Sequence, residues 1–403
     1  MGKLTLPNPT PSSGPRRRHG LKVPLSLISV LCLVLYVQFH ILPQLIANPS
    51  PAALKVAQHH NDVLEAGLQK CAKYQTPPIE YEFPVSAARQ NPRWNSASGQ
   101  QETIVLRNVT LFDGEEVQSE VDVFFTKGIV DSVLSVAKMS SYPENAKVFD
   151  LKGKYVTPGL VDMHSHHLTG NWPALEALED TNEMSTKGFG PLTPFVRSLD
   201  GMKSYDKATT IIASGGVTSS LILPGSANIM GGEAYLVKNF LRSGKDGEEV
   251  VEELLLEHGI PTSDRRRYMK MACGENPRRV YDHTRMGNAW IFRHHMERAK
   301  ELLEKQDSWC LSAAAAQESG DEDAIIALTS STTTDKGGLP EELELDSSVS
   351  ILRGQVGVNV HCYEPEDFED MLLHSKEFGF RIQAFHHALS AWKVPELIKD
   401  SGE

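Results

Sequence analysis

The segment VTPGLVDMHSHH, residues 156–167, constrains the fold more than any other part of the chain. A Pro-Gly pair ends whatever precedes it, and the short apolar run that follows is typical of a buried strand. Because alternate side chains of a strand share one face, His164 and His166 should point the same way. Two imidazoles at this spacing can bind one metal ion. The segment therefore predicts a pair of metal ligands, the alternative being polar residues at the rim of a strand.

Two strand-like segments near the end of the chain also carry histidines. Residues 356–362 form an apolar run that delivers His361, and residues 380–387 end in His386 and His387. Since neighbouring strand residues face opposite ways, only one of this last pair should face the same side as the other histidines. Several histidines at strand ends indicate a shared site.

A carboxylate follows another predicted strand, within residues 268–277. Glu275 would lie at the end of that strand. Oxygen ligands suit the same divalent ions as imidazoles do, so Glu275 is a candidate metal ligand; the alternative is that it caps the following turn. The Gly-rich residues 224–233, after a predicted strand at 217–223, are interpreted as a substrate-side loop or a simple tight turn.

The order of predicted elements indicates the fold class. From residue 158 onward strand-like and helix-like segments alternate, which favours a parallel sheet and, at this length, a barrel with its functional residues at the C-terminal strand ends. Residues 102–157 contain short β-rich runs separated by Asp-Gly and Lys-Gly turns, which predict part of a small β-sandwich.

Residues 156–167 resemble the first-strand signature of the amidohydrolase superfamily, metal-dependent hydrolases built on a (β/α)8 barrel. The resemblance implies that His164 and His166 both bind metal. It also implies that histidines closing strands five and six supply the third and fourth imidazoles, and His361 matches the first of these. The flanking sandwich is part of the same resemblance.

The resemblance also bears on the sixth strand and on the bridging ligand. The family's usual His, followed six residues later by Lys with an aromatic residue before it, aligns best with His387, Trp392 and Lys393, so His387 is preferred to His386. Many members bridge with a carboxylated lysine and others with Glu, and this sequence favours Glu275. The predicted metal ligands are His164, His166, Glu275, His361 and His387.

The predicted fold class is α/β, a TIM-like (β/α)8 barrel over residues 158–403 with about six βα units, and therefore incomplete. In the resembled family an Asp at the end of strand eight binds the metal and moves the proton. No residue of this sequence matches it, so the general base is unassigned. We expect a C-terminally truncated chain or a degenerate member completed by another chain.

Composition excludes some partners and leaves others open. The net charge is -12, and the sequence has no dense basic stripe outside its first twenty residues and the short run of arginines at 265–267, which argues against nucleic acid as a partner. The five cysteines show no Cys-x-x-Cys spacing and fix no connectivity. A small-molecule substrate is expected, and oligomerisation is left open.

The N-terminal region predicts a membrane anchor. Residues 1–20 form a basic tail and residues 21–47 a strongly apolar run, which together predict a single-pass type II membrane protein whose catalytic part is lumenal or extracellular. A cleaved signal peptide is the alternative. Residues 48–101 are expected to form a helix and a linker stem. With that topology, the sequon at Asn108 would make the chain a glycoprotein.

The resemblance implies hydrolysis of carbon–nitrogen bonds in non-peptide amides or cyclic amides. One or two divalent ions, with Zn²⁺ expected, would activate a water molecule. The alternative is a membrane-anchored pseudo-hydrolase or binding protein that keeps the metal-site residues without the activity. Measuring bound metal in the expressed chain and in variants with His164 or His166 replaced would test the site. If neither variant loses metal, the ligand assignment is wrong.

Overall fold

The computed structural model describes residues 25–41, 51–76, 91, 94, 102–138, 140–182, 189–243, 249–251, 265–331 and 337–401. The chain divides into two compact units, Met1–Val63 and Leu64–Glu403. Most of the predicted linker, residues 76–101, lies outside the described residues.

The first unit contains α1 (Leu25–Tyr36), a π-helical turn (Val37–Ile41) and the start of α2 (Pro51–Tyr74). The 12 residues of α1 give a length of about 18 Å, whereas a bilayer core is about 30 Å thick. None of the helices in the described ranges is long and apolar enough to span a bilayer. The predicted type II anchor over residues 21–47 is therefore wrong, and the ends of that segment lie outside the described residues.

The second unit begins with a five-stranded sheet over the predicted β-rich runs. Its strands are β1 (Thr103–Phe112), β2 (Val117–Thr126), β3 (Ile129–Ser135), β4 (Lys147–Asp150) and β5 (Tyr155–Val156). The order is β3-β2-β1-β4, with β5 also pairing with β1. Val109, Val121 and Val123 form its buried apolar core. Among the described residues this is a single sheet, so a second sandwich layer is not seen here.

Asn108 of the sequon lies within β1. Its backbone N–H donates to the Asp122 carboxylate at 2.8 Å, and its side chain is half-buried. Because the predicted topology is contradicted, the expectation that the chain is a glycoprotein loses its basis.

The larger sheet has six strands and is mixed. They are β6 (Leu160–Ser165), β7 (Val217–Ile222), β8 (Met230–Lys238), β11 (Arg267–Ala272), β12 (Val356–Cys362) and β13 (Ile382–His387), while β9 (Leu241–Ser243) and β10 (Glu249–Val251) form a separate hairpin. The order is β13-β12-β11-β8-β7-β6. β6 and β7 are parallel, as are β11, β12 and β13.

β8 runs antiparallel to both of its neighbours, β7 and β11. The predicted uniformly parallel sheet is therefore wrong at this strand. Residues 230–233, interpreted from sequence as part of a Gly-rich loop, belong to β8. The two glycines there, Gly231 and Gly232, gave the segment the composition of a loop.

Eight helices lie among or after these strands in the described part of the chain. They are α3 (Ser198–Gly201), α4 (Ala208–Ser214), α5 (Glu275–Tyr281), α6 (Arg285–Ser319), α7 (Glu322–Thr329), α8 (Asp346–Leu352), α9 (Pro365–Phe378) and α10 (Pro395–Asp400). The main core packs Met269 and Met271 of β11 and Val358 of β12 against Phe292 of α6 and Phe368 of α9. Since strand residues alternate, Lys270 between the two methionines points to the opposite face.

Two disulfides connect distant parts of this unit. Cys71 of α2 is bonded to Cys310 of α6, and Cys273, just after β11, to Cys362 at the end of β12. The second bond joins two neighbouring strands at the end that carries His361.

Candidate metal centre

Histidines from the two outermost strands of the six-stranded sheet touch each other. His164 lies on β6 and His386 on β13, at opposite ends of the strand order. Their Nδ1 atoms are 2.8 Å apart. The sheet must therefore curl until its edges meet at this end. His166, just after β6, completes the group, with its Nε2 3.2 Å from the Nε2 of His164.

The remaining predicted ligands lie beside this group. The His387 ring centroid is 4.5 Å from that of His164 and 4.6 Å from that of His361. His361 Nε2 is 2.8 Å from Glu275 Oε1. The structure thus brings together all five residues predicted from sequence. It also brings in His386. His387 has a positive φ of 61°, and this turn of the backbone lets the side chains of both His386 and His387 reach the site.

Fixed acceptors determine the tautomers of two rings. His166 Nδ1 lies 2.8 Å from the Leu223 carbonyl oxygen, which can only accept, so Nδ1 carries the proton and Nε2 is a free lone pair. His386 Nε2 lies 2.9 Å from Asn359 Oδ1 and therefore donates. The Nδ1 of His386 is then an acceptor for His164 Nδ1–H.

This chain of hydrogen bonds leaves the His164 Nε2 lone pair facing the His166 Nε2 lone pair at 3.2 Å. Two such acceptors repel unless a cation lies between them. At Zn–N distances of about 2.0–2.1 Å, two ligands of a tetrahedral ion lie about 3.3 Å apart. The pair therefore fits one bound divalent ion. In this arrangement His386 accepts a hydrogen bond from Nδ1 of His164, on the ring edge opposite to Nε2, and so fixes the orientation of the His164 ring.

Other atoms of the cluster also lack partners. Glu275 Oε2 and His361 Nδ1 are buried without a hydrogen bond. Glu275 is the first residue of α5, after Gly274, and its side chain pairs with His361 instead of capping the helix. Within the described part of the chain, no three or more His, Cys, Asp or Glu side chains already have the full geometry of a metal site. The donor types nevertheless suit a divalent ion with nitrogen and oxygen ligands.

Lys270 is a member of the site that sequence reasoning missed. It is completely buried on β11, and its Nζ has a weak contact, 3.4 Å, with the Pro224 carbonyl oxygen. Burial lowers the pKa of Lys270 to about 7. In sequence it looked like a polar interruption of a strand. Its position between two buried methionines was the available signal, because the alternate residue had to face the histidines.

The electrostatics keep the imidazoles neutral. Burial, with a smaller contribution from the Lys270 charge, lowers the pKa of His164 to about 2 and that of His386 to about 3. Neutral imidazole is the form that binds metal ions. The cluster is therefore in its ligating state near neutral pH.

Asn276 contacts the cluster. Its Nδ2 lies 3.3 Å from His361 Nε2 and donates to Ser226 Oγ at 2.8 Å, which connects the loop before β8 to the site. His167, the residue after His166, is buried and bonds Ser165 Oγ at 2.6 Å and Asn239 Oδ1 at 3.1 Å.

Known proteins are similar to this chain in sequence and in fold. No protein-family model matches the chain. It is 39% identical over 360 residues to the amidohydrolase tasK of Hapsidospora irregularis, a match that covers 84% of this chain and 34% of that protein. The chain thus spans about a third of the length of that relative. A dihydroorotase of Caldanaerobacter subterraneus is 31% identical over 85 residues, a match that covers 21% of this chain and 19% of the dihydroorotase.

A solved structure agrees with these sequence matches. The crystal structure of an amidohydrolase from Thermotoga maritima superposes with a TM-score of 0.56 at 28% identity, covering 74% of this chain and 67% of that one. Taken with the histidines gathered at one end of the curled sheet, these similarities support the amidohydrolase superfamily as the group to which the chain is related.

Proposed function

We propose that the protein hydrolyses carbon–nitrogen bonds in non-peptide amides or cyclic amides of small molecules, with a metal-activated water. The observation that carries the proposal is the pair of unprotonated Nε2 atoms of His164 and His166, 3.2 Å apart. The relatives that are named amidohydrolases and dihydroorotases support the reaction class.

We propose that His164, His166, Glu275, His361 and His387 hold one or two divalent ions, with Zn²⁺ expected. Such an ion would lower the pKa of a bound water and would polarise the scissile carbonyl. Protein residues fix the tautomers of two of these histidines. The Leu223 carbonyl fixes the tautomer of His166, and Asn359, through His386, fixes that of His164.

Lys270 is a second candidate for the bridging position, beside Glu275. A buried amine with a pKa of about 7 is largely neutral at mildly alkaline pH and can add to carbon dioxide, losing one proton to give a carboxylated lysine. The resemblance to the superfamily supports either bridge. Measuring the mass of the intact protein, with and without added bicarbonate, would show whether the lysine carries the extra carboxyl group.

The curled sheet supports a further structural proposal, that the six strands are part of a (β/α)8 barrel. Contact between His164 on β6 and His386 on β13 brings the first and last strands of the order together at one end. A flat sheet would keep these edges about 24 Å apart, since neighbouring strands are about 4.8 Å apart.

Metal analysis tests the proposed function directly. Wild-type protein, His164→Ala and His166→Ala would be purified and their zinc measured by mass spectrometry, with His294→Ala as the matched control because His294 is exposed on α6. We expect bound metal in the wild type and control, and a large loss in both site variants. Equal metal in all four proteins would contradict the ligand assignment.

Activity separates the hydrolase from the binding-protein alternative. Dihydroorotate, hydantoin and N-acetylated amines would be incubated with metal-loaded protein and assayed for ring opening or amine release. Turnover that stops with chelator and returns with Zn²⁺ is the expected result. Bound metal without turnover of any of these classes would favour a pseudo-hydrolase.

A further inference from the structure

The Cys273–Cys362 disulfide adjoins two of the proposed metal ligands. Cys362 follows His361 directly at the end of β12, and Cys273 lies two residues before Glu275, just after β11. The two strands are parallel, with Ala272 opposite His361. The cysteines therefore face each other at the next position, with their Cα atoms 5.4 Å apart. The bond ties together the two chain segments that present the carboxylate and the imidazole.

The two sides of this bond are not held equally firmly. Cys362 is completely buried, packs in the main core with Phe368, and lies on a strand flanked by β11 and β13. Cys273 is half-buried, and Gly274 after it has a positive φ of 71°. Glycine enters and leaves this conformation without a steric penalty. Since this one glycine separates Cys273 from Glu275, the position of the carboxylate depends on how Cys273 is anchored.

The contact that depends on this anchoring is the one between Glu275 Oε1 and His361 Nε2, which are 2.8 Å apart. When the disulfide is open, the Cys273 N–H still donates to the His361 carbonyl oxygen at 2.9 Å. A single hydrogen bond constrains a segment less than a covalent bond does. Opening the disulfide should therefore loosen the carboxylate while β11 and β12 stay paired.

We propose that the Cys273–Cys362 bond is a redox-sensitive clamp that holds Glu275 against His361 while it is closed and releases Glu275 when it is reduced. Where the centre holds metal, this release should weaken metal binding. That consequence rests on the proposed function, whereas the clamp itself does not.

A dithiol is the class of reductant that the clamp requires. One thiolate of the reagent attacks Cys273 Sγ, which belongs to the more exposed residue, and Cys362 Sγ leaves as a thiolate that takes up a proton. The second thiol of the reagent then displaces Cys273 Sγ, which also gains a proton. Two electrons have passed to the cysteines, and the reagent has become a cyclic disulfide.

Zinc affinity tests the consequence for the metal centre. It would be measured by competition with a chelating dye, for oxidised protein and for protein reduced with dithiothreitol that is then removed under nitrogen. We expect reduction to weaken zinc binding about tenfold or more, as is typical when a group that orients a metal ligand is lost. Equal affinity in the two states, or tighter binding after reduction, would overturn the proposal.

Two variants assign the effect to this disulfide. Cys273→Ser should bind zinc as weakly as the reduced wild type does, with or without reductant. Cys310→Ser is the matched control, because it removes the bond to Cys71 and keeps the clamp, so it should respond to reductant as the wild type does. A response that is lost in Cys310→Ser and kept in Cys273→Ser would assign the effect to the other bond and reject the clamp.

Hydrogen exchange of the metal-free protein tests the clamp separately from the metal. Mass spectrometry should show faster exchange at residues 273–276 after reduction and in Cys273→Ser, and no change there in oxidised Cys310→Ser. Unchanged exchange in the reduced wild type would reject the clamp. Faster exchange in a protein that binds no zinc in either state would support the clamp and would contradict the proposed metal centre instead.

Discussion

His294 and His295 are neighbours on α6 in opposite environments. Both belong to a segment that is rich in charged residues, which does not distinguish them. In the structure His294 is exposed and stacks on Trp290, whereas His295 is 3% exposed and bonds Ser348 Oγ at 2.8 Å. Burial, with smaller contributions from Arg298 and His294, lowers the pKa of His295 to about 4.

This pKa predicts an acid-sensitive contribution to stability. The folded state resists protonating His295, while the unfolded chain protonates it near its ordinary pKa of 6.5. Between about pH 4 and 6.5 the unfolded state binds more protons, so stability falls as pH decreases. The contribution lost at pH 5 is about 2 kcal/mol. Thermal unfolding would be measured at pH 7.5 and at pH 5. Between these pH values His295→Gln should lose less stability than the wild type, and His294→Gln should lose as much as the wild type.

Sequence reasoning found most of the site residues because each follows an apolar strand. It preferred His387 and expected only one of His386 and His387 at the site, since alternation allows one residue per face; the positive φ at His387 breaks that rule. It missed Lys270 for a different reason. A lysine in a strand reads as exposed, and only the packing of both neighbouring methionines into the core shows where the amine lies.

Helices α2 and α6 pack closely at one glycine. A Cβ built on Gly67 would clash with the indole of Trp309, nearest at Cη2, and the buried cluster there includes Leu64, Cys71 and Ala313. The helix predicted within residues 48–101 is α2, Pro51–Tyr74. The continuation of α6 to Ser319 is not visible in the local sequence pattern, because the contacts that bury Ala313 come from a residue more than 200 positions away.

Gly67→Ala should therefore destabilise the protein. Replacing a helical glycine by alanine normally stabilises by about 1 kcal/mol, but here the methyl group displaces Trp309 and the sign should reverse. Gly287→Ala on α6 is the matched control, because its Cβ would make ordinary contacts, the nearest at 3.5 Å. Urea unfolding should give a lower midpoint for Gly67→Ala and an equal or higher one for Gly287→Ala. A raised midpoint for Gly67→Ala would contradict the packing.

The Cys71–Cys310 bond joins the same two helices across 239 residues of sequence. Closing so long a loop restricts the unfolded chain and can contribute up to about 5 kcal/mol. Cys310→Ser should lower the melting temperature measured without reductant. Adding reductant to the wild type should lower it at least as much, because reductant also opens the Cys273–Cys362 bond, while the variant should change less. Identical melting of wild type and variant under oxidising conditions would show that the bond contributes nothing.

At the scale of the whole sheet, β6 is the last of the described strands in the order and pairs with β7, and it carries exposed apolar residues. Leu160, Val161 and Met163 are 58%, 66% and 52% exposed. Sequence reasoning expected this strand to be buried because its residues are apolar. Exposed apolar edges of this kind pair with other chains, and a charged residue there opposes such pairing.

Val161→Lys should accordingly reduce self-association of the 403-residue chain. Light scattering against protein concentration would measure it. Leu311→Lys is the control, since Leu311 is 74% exposed on α6, where the backbone is already hydrogen-bonded within the helix. A clear decrease for the first variant and little change for the second is expected. Equal behaviour of both would mean that general surface apolarity, and not the strand edge, governs association.

The reversed direction of β8 has a practical consequence for protein engineering. Because β8 lies between β7 and β11 and opposes both, the stretch from β7 to β11 is not a repeating unit that can be exchanged alone. A chimera with a superfamily relative that recombines between β7 and β8 would pair β8 with a β7 strand from the other parent. Crossovers placed before β7 or after β11 would transfer β7, β8 and β11 together, and those are the boundaries at which hybrid chains should fold.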